Sequence, residues 1–192
     1  MKTLLITAAF AAAIVTPSVA AAQAVPAAIV AVVDLDKVTA DCNACKTANA
    51  ALQSQASTIK ARQQALTTPL ETEAKSLQAA VDALKGKEPD AALKTRADAF
   101  NKKRQDAAEE MQRREQEFQR NQEYVRQQIA TKIRPIYQQV MQKRGANILV
   151  EVGATLATST SVDVTNDVLT ALNAALPSIA TTAPAPAKPQ GR

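Results

Sequence analysis

Lys46 to Arg144 is a stretch with one glycine, Gly86, near its middle, and this limits the possible folds more than any other feature of the chain. Around it Ala, Gln, Lys, Arg and Glu dominate, all good helix formers. On the N-terminal side Leu52, Ala56, Ile59, Gln63, Leu66, Leu70, Glu73, Leu77, Ala80 and Leu84 step alternately by four and three, with Gln63 and Glu73 interrupting the apolar series. That stepping is a heptad seam. Gly86-Lys87-Glu88-Pro89-Asp90 breaks it, since glycine permits a left-handed helix end and Pro89 lacks an N–H. The seam resumes at Leu93, Ala97, Phe100, Arg104, Ala107, Met111, Arg114 and Phe118. The pattern predicts two long helices folded back on each other as one antiparallel hairpin. At about 1.5 Å per residue, each arm reaches roughly 60 Å. Pro69 and Pro135 fall inside the helical pattern and are expected to kink a helix or interrupt a turn. Near Val125 the seam slips to Ile129, Ile133, Ile136 and Val140, as at a stutter.

The rest of the chain is short pieces. Met1-Lys2, the apolar run Leu4 to Val15 and the small residues around Ala22-Gln23-Ala24 read as a secretory signal peptide over residues 1–24. Its apolar run is too short to span a bilayer. The mature chain is therefore expected to be exported, to an oxidising compartment in a Gram-negative cell. Ile29 to Val33 is an unbroken, mostly β-branched run that reads as a buried strand, and Asp34 or Asp36 is placed to cap a following helix. Gly145 should stop the returning helix, and Asn147 to Val152 reads as a second strand. Gly153 to Ser161 is expected to form a turn and a third strand. Thr165 is the expected N-cap of a short helix with Asp167 in its first turn and Val168, Leu169, Leu172 and Leu176 on its buried face. Pro177 ends it, and from Ala180 to Arg192 no apolar face remains to be buried, so disorder is expected.

The expected class is α+β. A small head, residues 25–45 and 145–179, carries the arm, residues 46–144, inserted between its first two strands. Ile29, Val30, Val32, Val33, Ile148, Val150 and Val152 are the candidate head core. Segments this short make a marginal core alone, so they are expected to pack against sister copies as well.

Charge divides the chain in the same way. The arm holds nineteen Lys and Arg against twelve Asp and Glu, a net +7, whereas residues 25–45 hold one against three and residues 145–192 two against three. A basic arm can attract acidic clients or an anionic lipid or lipopolysaccharide surface; it can equally be an ordinary solvated coiled-coil face. Lys102-Lys103-Arg104 and Arg113-Arg114 are the densest patches. Arg104 and Arg114 fall on the projected seam, which is expected to be open there so that their stems can snorkel.

Cys42 and Cys45 continue the four-three stepping as small core residues. In a helix their Cα atoms stand roughly 5 Å apart, within disulfide range. In an exported protein a disulfide is the favoured state and two buried thiols the alternative. The chain has no His and no other Cys, which removes Ser-His-Asp and Cys-His catalysis and a four-ligand zinc site. Four scattered glycines make no phosphate loop. Asp34, Asp36 and Asp41 read as helix-start residues. No enzymatic activity, cofactor or metal is expected. Nucleic-acid binding, suggested by the basic balance, is opposed by the export signal and by an arm and head whose only aromatics are Phe100, Phe118, Tyr124 and Tyr137.

Taken together, the exported N-terminus, the Ile29-Val30-Ala31-Val32-Val33-Asp34 strand and the glutamine-rich hairpin resemble the Skp/OmpH family of periplasmic chaperones. So do Ile148-Leu149-Val150-Glu151-Val152 and Asp163-Val164-Thr165-Asn166-Asp167-Val168-Leu169 that follow. The Cys pair and the Ala/Pro-rich tail depart from that pattern. The resemblance implies a homotrimer whose heads form a β-barrel-like hub, with three hairpins hanging around a cavity. It implies ATP-independent holding of unfolded outer-membrane proteins in the periplasm. On that reading the inner faces of the arms hold clients through scattered weak contacts, with Leu66, Leu70, Leu77, Phe100, Met111 and Phe118 as apolar candidates and Lys102, Lys103, Arg104, Arg113 and Arg114 as basic ones. The competing expectation is that the apolar six only zip the two arms together. The competing function is a structural coiled coil of the cell envelope.

Overall fold

The structure, a computed structural model, describes residues 25–185; the expected signal peptide and residues 186–192 lie outside them. Strand β1, Val30–Val33, leads into α1, Leu35–Asp41. Two long helices follow, α2, Asn43–Ala83, and α3, Ala91–Arg144. Strand β2, Ile148–Glu151, two short 3-10 turns at Val152–Ala154 and Thr160–Val162, and α4, Thr165–Ala175, complete the chain. This is the expected α+β architecture, with the hairpin inserted between the strands. The expected third strand is absent among the described residues; the 3-10 turns stand in its place. There the chain touches the sheet through a single parallel bridge from Asp163 to Val32.

Each turn of the arm has a local cause. Asp90 caps α3 by accepting from the Leu93 N–H at 2.7 Å. At the bend Lys85 and Gly86 both have positive φ, 50° and 87°. Gly145, at φ 66°, closes α3 in a Schellman arrangement: its N–H donates to Gln142 O, and Ala146 N–H donates to Met141 O. Neither Pro69 nor Pro135 interrupts its helix.

β1 and β2 pair in parallel, with Val30 beside Ile148, Ala31 beside Leu149, Val32 beside Val150 and Val33 beside Glu151. A parallel pair needs a crossover connection, and here the crossover is the whole arm. Side chains alternate across the sheet. Ala31, Val33 and Leu149 face the core, where they meet Val38, Cys42, Cys45, Val164, Val168, Leu172 and Leu176. Ile133, Ile136 and Val140, from the last turns of α3, complete that core, so the slipped seam serves the head. Val30, Val32, Ile148 and Val150 share the opposite face. Val32 is buried there, but Val30 and Ile148 are about two-fifths exposed, and Ile29 just before β1 is exposed too. The expectation of a fully buried first strand is thus corrected for Ile29 and Val30. Val152, beyond the end of β2, is half-buried in the first 3-10 turn.

Asp34 caps α1, as the sequence indicates, accepting from Lys37 N–H at 2.7 Å. Thr165 does not cap α4. It is the first helical residue, its N–H donates to Asp163 Oδ1, and its buried hydroxyl accepts from Asp34 N–H at 2.9 Å. The hydroxyl is spent on tying α4 to the end of β1. Arg144 and Lys143, in the last turn of α3, meet Asp167, in the first turn of α4, at 2.7 and 3.6 Å, so opposite charges sit at opposite helix poles.

Cys42 is not helical. It separates α1 from α2, caps α2 and is joined to Cys45 as a disulfide, with Cα atoms 5.1 Å apart. Asn173 of α4 supports the break by accepting from the Asn43 N–H. Both sulfurs lie in the core, where a small apolar bridge packs without polar cost.

Two measurements test the head. Thr165→Val, which leaves the Asp34 N–H without its acceptor, should lower unfolding stability by about 1–3 kcal/mol in urea at fixed protein concentration. Alkylation of protein denatured without reductant should label neither cysteine; two labelled thiols would refute the disulfide.

Candidate functional site

Leu77 is the one buried residue between 49 and 120. The arm helices touch along a narrow half-buried stripe and leave a groove beside it. Lys103, Ala107, Glu110, Arg114, Phe118 and Asn121 line the α3 wall, spaced by three or four and hence on one helix face. The groove widens twice. Near the head it forms a cavity of ≈ 310 Å³ against Ser54, Gln55, Thr58 and Ile59 of α2. Nearer the tip it forms one of ≈ 400 Å³ against Leu66, Pro69, Leu70 and Glu73.

An ion cluster separates the two cavities. Arg62 of α2 grips Glu110 of α3 with two parallel bonds, Nε and Nη2 donating at 2.8 and 2.9 Å, and Arg114 Nε donates to the same carboxylate at 2.8 Å. The two guanidiniums hold the Glu110 carboxyl at about 2, well below its ordinary range. Toward the tip Arg96 donates to Glu73 and to Ser76 Oγ, both at 2.7 Å; the hydrogen bond from Arg96 lowers the Glu73 pKa. These charged ties cross between arms that share almost no buried apolar surface.

Five of the expected arm residues come together on this groove: Leu66, Leu70 and Lys103 at the outer cavity, Arg114 and Phe118 at the inner one. Leu77 is buried, and Phe100 and Met111 are half-buried off the groove. Lys102 and Arg113 are exposed and pair within their own helix, with Asp106 and Glu109. Arg104 is exposed instead of lying on the seam, and its guanidinium sits 5.7 Å from the Phe100 ring centre. Phe100 and Ala107, its seam neighbours on either side, stay half-buried, so the helix keeps its face and only this long charged side chain turns out to solvent. Arg114 does stay half-buried, paired with Glu110.

Sequence reasoning missed Arg62, Arg96 and Glu110. It flagged Glu73 only as a fault in the seam; the fault was the signal, because a charge on a seam asks for a partner across it. It also missed where the chain goes after α4. Residues 180–183, expected to be disordered, lie along the arm. Gln128 Nε2 donates to Ala180 O and Gln128 Oε1 accepts from Ala180 N–H, at 2.8 and 3.0 Å. Gln55 Nε2 donates to Thr181 O, and Asn121 Oδ1 accepts from Ala183 N–H.

Because the Glu110 pKa is depressed, the cluster adds stability that is present above the ordinary carboxylate value of 4.5 and is lost as pH falls through about 2. Glu110→Gln should therefore lower the thermal midpoint at neutral pH, and its difference from the parent should close on acidification toward 2, read by far-UV circular dichroism.

The geometry agrees with two comparisons. The crystal structure of a candidate outer-membrane chaperone (OmpH-like) from Caulobacter crescentus CB15 superposes with a TM-score of 0.66 at 21% sequence identity, covering 82% of this chain and 90% of that one. At that identity the likeness establishes the fold. No curated protein matches the chain. The family model for outer membrane protein (OmpH-like) matches residues 29–172, from the start of the first strand into α4, and the chain therefore belongs to the OmpH-like family.

Proposed function

We propose that this chain is an exported, ATP-independent holdase of the periplasm, which keeps unfolded outer-membrane proteins from aggregating by holding them between helical arms. The observation that carries the reading is the division of packing. Every residue of the main buried cluster lies in the head or at the base of the arm, while residues 49–120 bury only Leu77. A segment that long with so little interior contributes surface, and the surface is basic, grooved and lined by scattered Leu, Pro and Phe. Many weak contacts of that kind hold a chain without reading its sequence. Lys103 and Arg104 form no ion pair among the described residues, which leaves them available to acidic segments of a client or to an anionic lipid surface.

The reading includes self-association through the head. A parallel sheet is normally covered on both faces. Here Val30 and Ile148 remain open, and the outer edge of β2 has no strand partner among the described residues. A second and third copy would cover this face and pair this edge; the number three comes from the family resemblance.

Purified mature protein should suppress aggregation of a denatured outer-membrane protein diluted out of urea without nucleotide, and a structural coiled coil of the envelope should not. Lys103→Glu with Arg104→Glu should weaken capture several-fold at low salt, with little difference at high salt, where exposed charges are screened beyond about 10 Å. Mass photometry should show the same assembly for both proteins, and Ile148→Asp should dissociate it.

A further inference from the structure

Four main-chain atoms of residues 180–183 are held by side-chain amides alone. Gln128 takes both the N–H and the carbonyl of Ala180, Gln55 takes the Thr181 carbonyl and Asn121 takes the Ala183 N–H. The amides are set for the task. Asn121 is 5% exposed and its Nδ2 donates to Gln55 Oε1 at 2.9 Å, which fixes the orientation of both groups. The residues held are Ala, Thr and Ala, and the bonds engage nothing of their side chains. From Gln128 to Asn121 is two turns of α3, about 10 Å, and three extended residues cover about the same distance. The segment is therefore extended and runs toward the arm tip. At Thr182 it meets the inner cavity, where Phe118, Ile59 and Arg114 continue the groove.

We infer that Gln55, Asn121 and Gln128 form a receptor for extended polypeptide backbone, that an unfolded client strand is its other occupant, and that residues 180–183 fill it in the empty protein. A receptor that bonds N–H and C=O groups accepts any sequence of small or flexible residues in extended form. This is the property a holder of unfolded chains requires, and it complements apolar and charged contacts, which depend on composition. The tethered occupant pairs the Asn121 Oδ1 and both polar atoms of the Gln128 amide when no client is present. A client strand must displace it and then extends along the same groove into the two cavities. The inference rests on the holdase reading for the identity of the occupant, but the receptor itself can be tested without a client.

Two proteins release the site. One ends after Ile179, which keeps Leu176 and Ile179 in the head; the other is the full chain with Ala180→Pro and Ala183→Pro, which removes both bonded N–H groups and leaves the arm untouched. The probes are two eight-residue peptides, one with the sequence of residues 178–185 and one of unrelated neutral sequence, titrated while the side-chain amide NMR signals of Gln55, Asn121 and Gln128 are followed. Both peptides should shift those signals in either released protein, with affinities within about threefold of each other, and bind the parent about tenfold more weakly because a tethered segment competes at high effective concentration. Adding Gln55→Leu, Asn121→Leu and Gln128→Leu to the released full chain should abolish the binding, read there on the backbone amide signals of the same three positions. No binding to either released protein, or binding of the native peptide only, overturns the receptor. In a parallel arm, the Ala180→Pro, Ala183→Pro protein should hold a denatured outer-membrane protein several-fold more tightly than the parent; unchanged or weaker holding overturns the client role. If neither protein holds any client, the holdase reading fails, and the peptide titration still decides whether the receptor exists.

Discussion

The parallel pairing of β1 with β2 is the constraint on which the rest depends. Antiparallel neighbours can be joined by two residues, but parallel neighbours require the chain to leave and return in the same sense. Residues 34–147 make that journey. Closing a flexible loop of that length would cost on the order of 4 kcal/mol beyond a constant. The arm reduces the problem, because the bend at Lys85 and Gly86 turns one long closure into a short local one followed by docking of two adjacent helix ends. Those ends then supply what the strands lack. Ile133, Ile136 and Val140 from α3 and Ala44 and Cys45 from α2 pack against the inner sheet face, while on the outer face Val32 is buried but Val30 and Ile148 stay open among the described residues. The helices are therefore both the crossover and half of the head's core.

The hairpin, its break and the stop of α3 were legible from the sequence because each rests on local chemistry: period, Gly86 with Pro89, and Gly145. The strands were legible from β-branched runs; the slip of the seam near Val125 was legible as a stutter, but not that Ile133, Ile136 and Val140 beyond it enter the head core. What escaped depends on the relative placement of two helices. Nothing within α2 says that Arg62 faces Glu110, since a slide by one turn would face it with another residue. The third strand was expected from the Thr content of the segment, but the chain forms 3-10 turns there and reaches β1 only afterwards, at Asp163, through one bridge. Thr165 was expected as a cap because its type and position suit one, yet tertiary demand for an acceptor at Asp34 outweighed local preference. Residues 180–183 were assigned disorder for want of apolar content, and a polar backbone clamp answers to no apolar pattern.

The ionic ties also explain how the arm stays a hairpin with so little interior. A surface ion pair contributes about 0–1 kcal/mol, and a weak apolar stripe with isolated pairs would leave the arms free to part. The arrangement here differs in geometry. Arg62 engages Glu110 with two bonds while Arg114 holds the same carboxylate in place, so the side-chain ordering cost is shared across the cluster. The same cluster divides the groove into two cavities. Register is thereby specified at two levels along the arm, by Glu110 and by Glu73, without closing the intervening apolar surface.

This separation follows from a physical conflict. A hairpin zipped by a full apolar seam would be stiffer, but each Leu or Phe committed to the seam is withdrawn from the groove. Leu66, Leu70 and Phe118 sit half-buried at the groove wall, where they support the helix pair and still present surface. Polar ties make that compromise stable because they fix direction and register through a few contacts at the edge of the stripe, and cost little apolar surface. The head shows the reverse allocation. Its inner sheet face commits Ala31, Val33 and Leu149 to the core, with a disulfide at the junction with α2 and a hydroxyl bonding β1 to α4. A base built that firmly is what allows an arm of marginal interior to be held out at length.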